Sequence, residues 1–415
     1  LTATISGAWP RTLRALRHRN YRLYFFGQLF SLTGTWMQSV AQSWLLYQLT
    51  DSAALLGLLS FVQMLPVFLM APIGGVIADR LSRHRLVIAT QYASALLAAL
   101  LALLALTDQI VVWHLFTLAA LLGTVNGIDT PVRQSFVADI VEREDLPNAI
   151  GLYASVFNGA RVLGPALAGA LVASIGAGWC FFINAVSFLP VLLGLHAMRV
   201  AAKRRVPVSA SPAAQMREGF SYVRSHRPIR AVLQMLALVC LTGTPYLVLL
   251  PILASRVYGS GAEGLGLLMG ASGFGAMIGA ILLASRHSAH GLPHWISRAV
   301  TAFGLLLVVL ALAPTLWLAA LVMVGIGTAM VLTLSASNAL VQSLLPDALR
   351  GRVMSIYFMT VMGASPLGSL GAGALTELIG APLTVAAGGL VCLLTARWFS
   401  HQLPLLSAAQ KAAHG

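Results

Sequence analysis

The sequence predicts an all-α integral membrane protein: twelve transmembrane helices in two pseudo-symmetric six-helix bundles. Three observations carry this reading. Of 415 residues, 58% are hydrophobic and 9% charged, against about 25% charged in a soluble domain. Apolar runs of spanning length recur along the whole chain with short polar joints between them, each needing roughly 20 residues to cross ~30 Å of hydrocarbon. The two halves of the chain also echo one another. Lipid offers no water to an unpaired backbone group, so the runs must be helices.

The expected spans, in order, are 23–48, 53–78, 86–106, 111–138, 149–174 and 179–198. The turns Thr50-Asp51-Ser52, Thr107-Asp108-Gln109 and Gly176-Ala177-Gly178 join three pairs of them. Turns this short make antiparallel neighbours. The longest connection, about 199–229, combines bases with Pro207, Ser209, Ser211 and Pro212, and reads as a cytoplasmic linker. Its second part, Ala213 to Arg224, has the pattern of a surface helix. Spans 230–254, 264–285, 296–313, 315–344, 353–378 and 382–400 follow, with Pro314 and Gly380 marking the last two tight turns. The expected division is 1–198 for the N-terminal bundle, 199–229 for the linker and 230–415 for the C-terminal bundle. Gln134-Ser135 and Gly169-Ala170-Leu171 in the first half recur as Gln342-Ser343 and Gly373-Ala374-Leu375 in the second. Such repeats fit two bundles that rock about a midplane site.

The formal charge of +14 is a topological signal. Arg11, Arg14, Arg17, Arg19 and Arg22 precede the first span, Arg80, Arg83 and Arg85 follow the second, and eight further bases lie between the sixth and seventh. The outward loops hold almost none, Arg256 being the exception. This positive-inside distribution puts both termini in the cytoplasm and the bases against membrane lipids, with no nucleic acid as partner. The Ala/Leu/Arg-rich composition points to a bacterium with GC-rich DNA. Cys180, Cys240 and Cys392 are scattered in or beside apolar spans, with neither a disulfide framework nor metal spacing. The basic start runs directly into a full-length span, so no cleavable signal peptide is expected. No H-E-x-x-H, acid dyad, Cys/His cluster or G-x-x-x-x-G-K-[ST] loop is present, which argues against an enzyme or a nucleotide-driven pump.

Nearly all twelve acids sit at a membrane surface, and Asp129 is the exception. Asp129 and Arg133 are four apart, on one helix face, and can pair. An ionisable group within a span is costly and is by default a functional candidate. Arg161 lies mid-helix in the fifth span, too deep to snorkel freely, and needs a carboxylate, carbonyls or an anionic ligand. Asp129 is a candidate partner for it.

The segment from Gly75 to Arg85, Gly-Val-Ile-Ala-Asp-Arg-Leu-Ser-Arg-His-Arg, resembles the helix 2–3 loop of the major facilitator superfamily, G-x-x-x-D-R-x-G-R-R. Ser82 stands for its second glycine and His84 for one of its bases. The resemblance implies that Asp79, Arg80, Arg83 and Arg85, with Gly75, form a cytoplasmic latch that stabilises the outward-facing state, near the start of the eleventh span at Arg352. Gly159, Gly164, Pro165 and Gly169 resemble the fifth-helix motif of the superfamily's antiporter branch, and favour export. The pieces Arg19-Asn20-Tyr21-Arg22-Leu23, Gly34-Thr35-Trp36-Met37-Gln38 and Glu144-Asp145-Leu146-Pro147-Asn148-Ala149 are similar to a subgroup containing the enterobactin exporter and macrolide efflux proteins.

That subgroup implies an inner-membrane exporter of small molecules, driven by a proton gradient; a monomer with no cofactor and no metal is expected. Many such antiporters carry an arginine in the outer or middle part of the fourth helix. Residues 115–127 hold none here and the first span has no acid, so coupling falls to Asp129, Arg133 and Arg161. In the family, helices one, four, seven and ten line the cavity. The candidates on them are Trp36, Gln38, Gln42, Asn126, Tyr246, Ser335, Asn338 and Gln342, with Asn158 from the fifth. Amides and aromatics with few charges suit amphipathic solutes. The expected function is secondary-active, proton-coupled export of a siderophore or drug by alternating access. The alternatives are a lipid or lysolipid translocator and an uncoupled facilitator.

Overall fold

The computed structural model describes residues 11–200, 212–285 and 291–414. Its first half holds α1 (Arg19–Thr50), α2 (Ala53–Arg80), α3 (Arg83–Leu106), α4 (Val112–Ile140), α5 (Leu146–Ile175) and α6 (Ala177–Ala197). A linker helix, Pro212–Ser225, precedes the second half. There follow α7 (Arg227–Val257), α8 (Ala262–Ala284), α9 (Leu292–Leu312), α10 (Leu316–Ser343), α11 (Asp347–Ile379) and α12 (Ala381–Ser400). Eleven of these helices are long and apolar enough to cross a membrane. The twelfth is α1, 32 residues long, whose hydropathy is diluted by Arg19, Arg22, Gln28, Gln38 and Gln42.

The helices overrun the expected spans chiefly on one side. On the face that carries the N-terminal and linker arginines, the basic face, α1 starts at Arg19, α2 ends at Arg80, α5 starts at Leu146 and α11 starts at Asp347. Hydropathy marks only the part of a helix in hydrocarbon. The backbone ladder continues beyond it until a cap or proline stops it. In α7 the departure is internal. Wide π turns at Val239–Gly243 and Leu253–Val257 flank a short α stretch, Tyr246–Ile252. Pro245 has no N–H to continue the α ladder, and the Thr244 N–H reaches back to Val239 O instead, at 3.2 Å.

Pairing within the two bundles is the same. In the first, α1 packs on α5 and α6, α2 on α4, and α3 on α4 and α6. In the second, α7 packs on α11 and α12, α8 on α10, and α9 on α10 and α12. Small residues let the backbones approach closely. A methyl added at Gly127 of α4 would lie 2.7 Å from Met70 Cβ of α2, and one at Gly279 of α8 2.7 Å from Thr328 O of α10.

The bundles touch along two symmetry-related seams, α5 with α8 and α2 with α11. Both are tight near the face opposite the bases. A methyl at Gly169 would lie 2.9 Å from Gly266 Cα, and one at Gly57 3.3 Å from Gly373 Cα. Polar contacts flank this seal. The Glu377 carboxylate accepts hydrogen bonds from the Ser52 hydroxyl at 2.9 Å and the Ala54 N–H at 3.1 Å, capping α2 from the other bundle. Arg256 pairs with Asp51 at 2.6 Å. Both of those side chains are more than half exposed, so water and salt screen the pair and it contributes little. The seal is therefore mainly packing. Toward the basic face no close glycine contact joins the two bundles among the described residues, and a methyl at Gly75, Gly151, Gly159 or Gly351 would meet nothing within 4 Å. Close backbone packing between the bundles is thus found in the middle and on the far side of the seams.

Two tethers lie on the basic face. The 3₁₀ segment Arg11–Arg17 is held on the α4–α5 loop by the buried Asp145, which takes Arg14 and Arg17 at 2.8 Å and His18 at 2.7 Å. Burial alone would push the Asp145 carboxyl up, but the His18 bond and the two guanidiniums hold it below the ordinary carboxylate range. The linker helix rests on α11, with Glu218 paired to Arg352. Residues 201–211 of the expected linker lie outside the described residues.

Leucine at Gly169 should wedge the seal open. Spin labels at Thr107 and Trp317 should read a longer separation in Gly169→Leu, and an unchanged distribution would contradict the packing seal. The hydrogen bond from Arg256, and then that from Tyr47, holds the Asp51 carboxyl below its ordinary value. Its contribution is complete above about pH 4 and is lost only as pH falls through the lowered value. The same label distance in the native sequence should therefore not change between pH 8 and pH 5.

Candidate functional site

Asp129 and Arg133 lie one turn apart on α4, and Asp129 is 1% exposed. Its Oδ2 pairs with Arg133 Nη2, and its Oδ1 accepts the Thr90 hydroxyl of α3 at 2.5 Å. Arg133 Nη1 donates to Gln28 Oε1 of α1 at 2.9 Å and contacts the Tyr153 hydroxyl of α5 at 3.4 Å. Four helices thus converge on one ion pair in the basic-face half of the bundle. Gln28 Nε2, Arg133 Nε and the Tyr24 hydroxyl are buried with no hydrogen-bond partner among the described residues. The cluster holds more polar capacity than this arrangement satisfies. That is expected of a site with a second arrangement.

Beside the pair lies a cavity of about 640 Å³, lined by the basic-face halves of α1, α4 and α5 together with α3 and α6. Gln38, Asn126 and Asn158, named above as cavity candidates, line it, and Gln38 Oε1 accepts the Asn184 amide at 2.7 Å. The other expected cavity residues are placed differently. Gln42, one turn beyond Gln38, donates to Leu115 O at 3.2 Å and serves packing of α1 on α4. Tyr246 is buried, its hydroxyl 3.2 Å from Ser272 of α8. Asn338 and Gln342 bond each other at 2.6 Å, and with Ser335 they stand apart from this cavity, which belongs to the first bundle. Sequence reasoning missed Ser94 and Asn184 on the cavity wall and Gln28 and Thr90 at the pair. The available signal was a run of buried polar residues, Thr90, Gln91 and Ser94, within an apolar span.

Arg161 does not pair with Asp129. Its guanidinium carbon lies 5.9 Å from the centre of the Trp36 ring, and Trp36 packs edge-on against Phe157 at 5.8 Å. Tyr246 is within its electrostatic reach. Of the fifth-helix motif, Gly164 brings α5 onto α1, where a methyl would lie 2.5 Å from Trp36 Cβ, and Gly169 forms the seal. Pro165 lies inside the helix, its carbonyl turned to Gly266, and Gly159 faces open space.

At the α2–α3 loop, Arg83 binds Asp139 and Ser135 O of α4, both at 3.2 Å. Arg80 and Arg85 are exposed, and His84 reaches Leu195 O at 2.8 Å. The side chain of Asp79 lies outside the described residues.

A family model described as a transmembrane secretion effector matches residues 11–414. The staphyloferrin A transporter of Staphylococcus aureus is 26% identical over 398 residues, spanning 94% of this chain and 99% of that one. The multidrug efflux pump Tap of Mycolicibacterium fortuitum is 27% identical over 383 residues, covering 90% and 93%. Among solved structures, a bacterial homologue of the iron transporter ferroportin, in an inward-facing state, superposes with a TM-score of 0.70 at 17% identity, over 92% of this chain and 98% of that one. A bacterial homologue of the lysosomal transporter spinster, inward-facing and unoccupied, gives 0.65 at 17% identity over 98% of each chain.

Breaking a buried pair leaves one charge uncompensated, at a cost of about 3–5 kcal/mol. Asp129→Ala should therefore lower the thermal midpoint of the purified protein more than the double variant Asp129→Ala, Arg133→Gln does. Additive losses in the melting curves would contradict the coupling.

Proposed function

Because the chain belongs to the transmembrane secretion effector family of the major facilitator superfamily, whose members are membrane transporters, we propose that it is a proton-coupled exporter of small amphipathic molecules. The basic face is the cytoplasmic side of a bacterial inner membrane, and the structure is the state that loads substrate. One observation carries this reading: Asp129, a carboxylate buried within the spans, is ion-paired beside a cavity lined by the basic-face halves of α1, α4 and α5.

An exporter exchanging solute for protons must release its proton on the side where it takes up substrate. The paired geometry of Asp129 is that of the ionised form, held by Arg133 and Thr90. Substrate enters from the basic face and the bundles rock. The basic face then closes as the ends of α2 and α11 approach, where Gly75, Asp79, Arg80, Arg83 and Arg85 meet the start of α11. The Gly169–Gly266 and Gly57–Gly373 contacts separate on the other side. Asp129 is then protonated from outside, and Arg133 is left with Gln28 and Tyr153. Return to the open-basic state expels the proton. The staphyloferrin A transporter and Tap, as relatives, favour a siderophore or a drug as cargo. The protein works as a monomer, without a cofactor.

Proteoliposomes with an imposed proton gradient and an internal pH dye test this with a catecholate siderophore, a macrolide, a cationic dye and a lysolipid. One solute should drive proton flux in the native protein. Asp129→Asn should lose the flux yet retain solute exchange. Equal solute movement in both proteins without a gradient would leave a facilitator or lipid translocator as the better account.

A further inference from the structure

The geometry points to Arg161 as an anchor for the negatively charged group of the exported molecule, so that the cargo is an anionic amphipath. This rests on the reading of the first-bundle cavity beside Asp129 as part of the export site.

Arg161 stands at the junction of the two bundles. Its backbone is in the α5–α8 seam, where a methyl at Gly273 would lie 2.6 Å from Arg161 O. Its head lies over Trp36 of α1, and Tyr246 of α7 is within electrostatic reach. Phe157 and Asn158, one helical turn nearer the basic face, line the cavity, so Arg161 stands directly beyond the cavity wall on the same helix face.

The charge balance gives the sign. Asp129, the buried acid beside the cavity, is already occupied by Arg133 and Thr90. Among the described residues, Arg161 has neither an ion pair nor a hydrogen bond through its guanidinium, whose carbon lies 5.9 Å from the centre of the Trp36 ring. Such an arrangement orients a guanidinium but leaves its N–H edges free. A half-buried guanidinium with free donors in a fork suits a carboxylate, phenolate or sulfonate. The neutral amides of Gln38, Asn126 and Asn158, with Phe157, suit the rest of an amphipathic body. The unpaired charge of Arg161, one turn beyond the cavity wall, favours an anionic group over a cationic one.

Equilibrium binding to the full chain in neutral-lipid nanodiscs tests this with three dansyl-dodecyl probes that differ only in their end group: sulfonate, alcohol and trimethylammonium. The native protein should bind the sulfonate roughly tenfold or more tighter than the alcohol, and the trimethylammonium weakest. Arg161→Gln should bring the sulfonate-to-alcohol ratio to about one, and Arg161→Lys should keep part of it. Equal affinities in the native protein, preference for the cation, or an undiminished ratio in Arg161→Gln would each overturn the proposal. The ratio compares two probes on one preparation, so partial misfolding of a variant cancels. No gradient is applied, so a failure of proton coupling does not affect the result.

Discussion

Everything in this structure follows from the absence of water in hydrocarbon. A charge placed within a span must be answered by another group of the protein, and the carboxylate of Asp129 is answered three ways at once. Arg133 neutralises it along its own helix, Thr90 bonds it from α3, and Gln28 and Tyr153 bind the far side of the guanidinium. The pair therefore fixes how α1, α3, α4 and α5 sit together in their basic-face halves. A cavity with amides and hydroxyls set in largely apolar walls survives there because the costly charges are already paired.

The two seams have the opposite chemistry. Between α5 and α8, and between α2 and α11, the contact is backbone against backbone through glycines. Small residues pack closely without committing any side-chain charge, so they can part and re-form cheaply. The ionic contacts on the rim, Asp51 with Arg256 and Glu377 with the start of α2, lie where water can take over their partners. A firmly wired first bundle and a lightly wired boundary suit a molecule whose halves move as bodies.

Much of this was legible in the sequence, and the failures have physical causes. Span positions followed from hydropathy, and their errors lie where helices leave the hydrocarbon and hydropathy goes silent. Asp129 with Arg133 followed from helical spacing, since the partners are local. The bonds from Thr90 and Gln28 join helices 39 and 105 residues away in sequence from their partners on α4, and no local pattern encodes them. Gln42 shows the limit of the face argument. It shares a face with Gln38, yet one turn further along that face meets α4 rather than the cavity. Asp145 was read as part of a surface loop, while the structure buries it under the bases that precede α1.

The wide turn at Val239–Gly243 sets how α7 tolerates changes in length. A π turn holds one residue more than the α turn it replaces. Losing one residue there would restore a regular ladder, with Arg227–Leu238 and Tyr246–Ile252 still facing their present neighbours. Losing one residue from a regular α stretch of the same helix would turn everything beyond it by about 100°. The wide turn makes Val239–Gly243 a register buffer, where the chain can lose a residue without reorienting Tyr246.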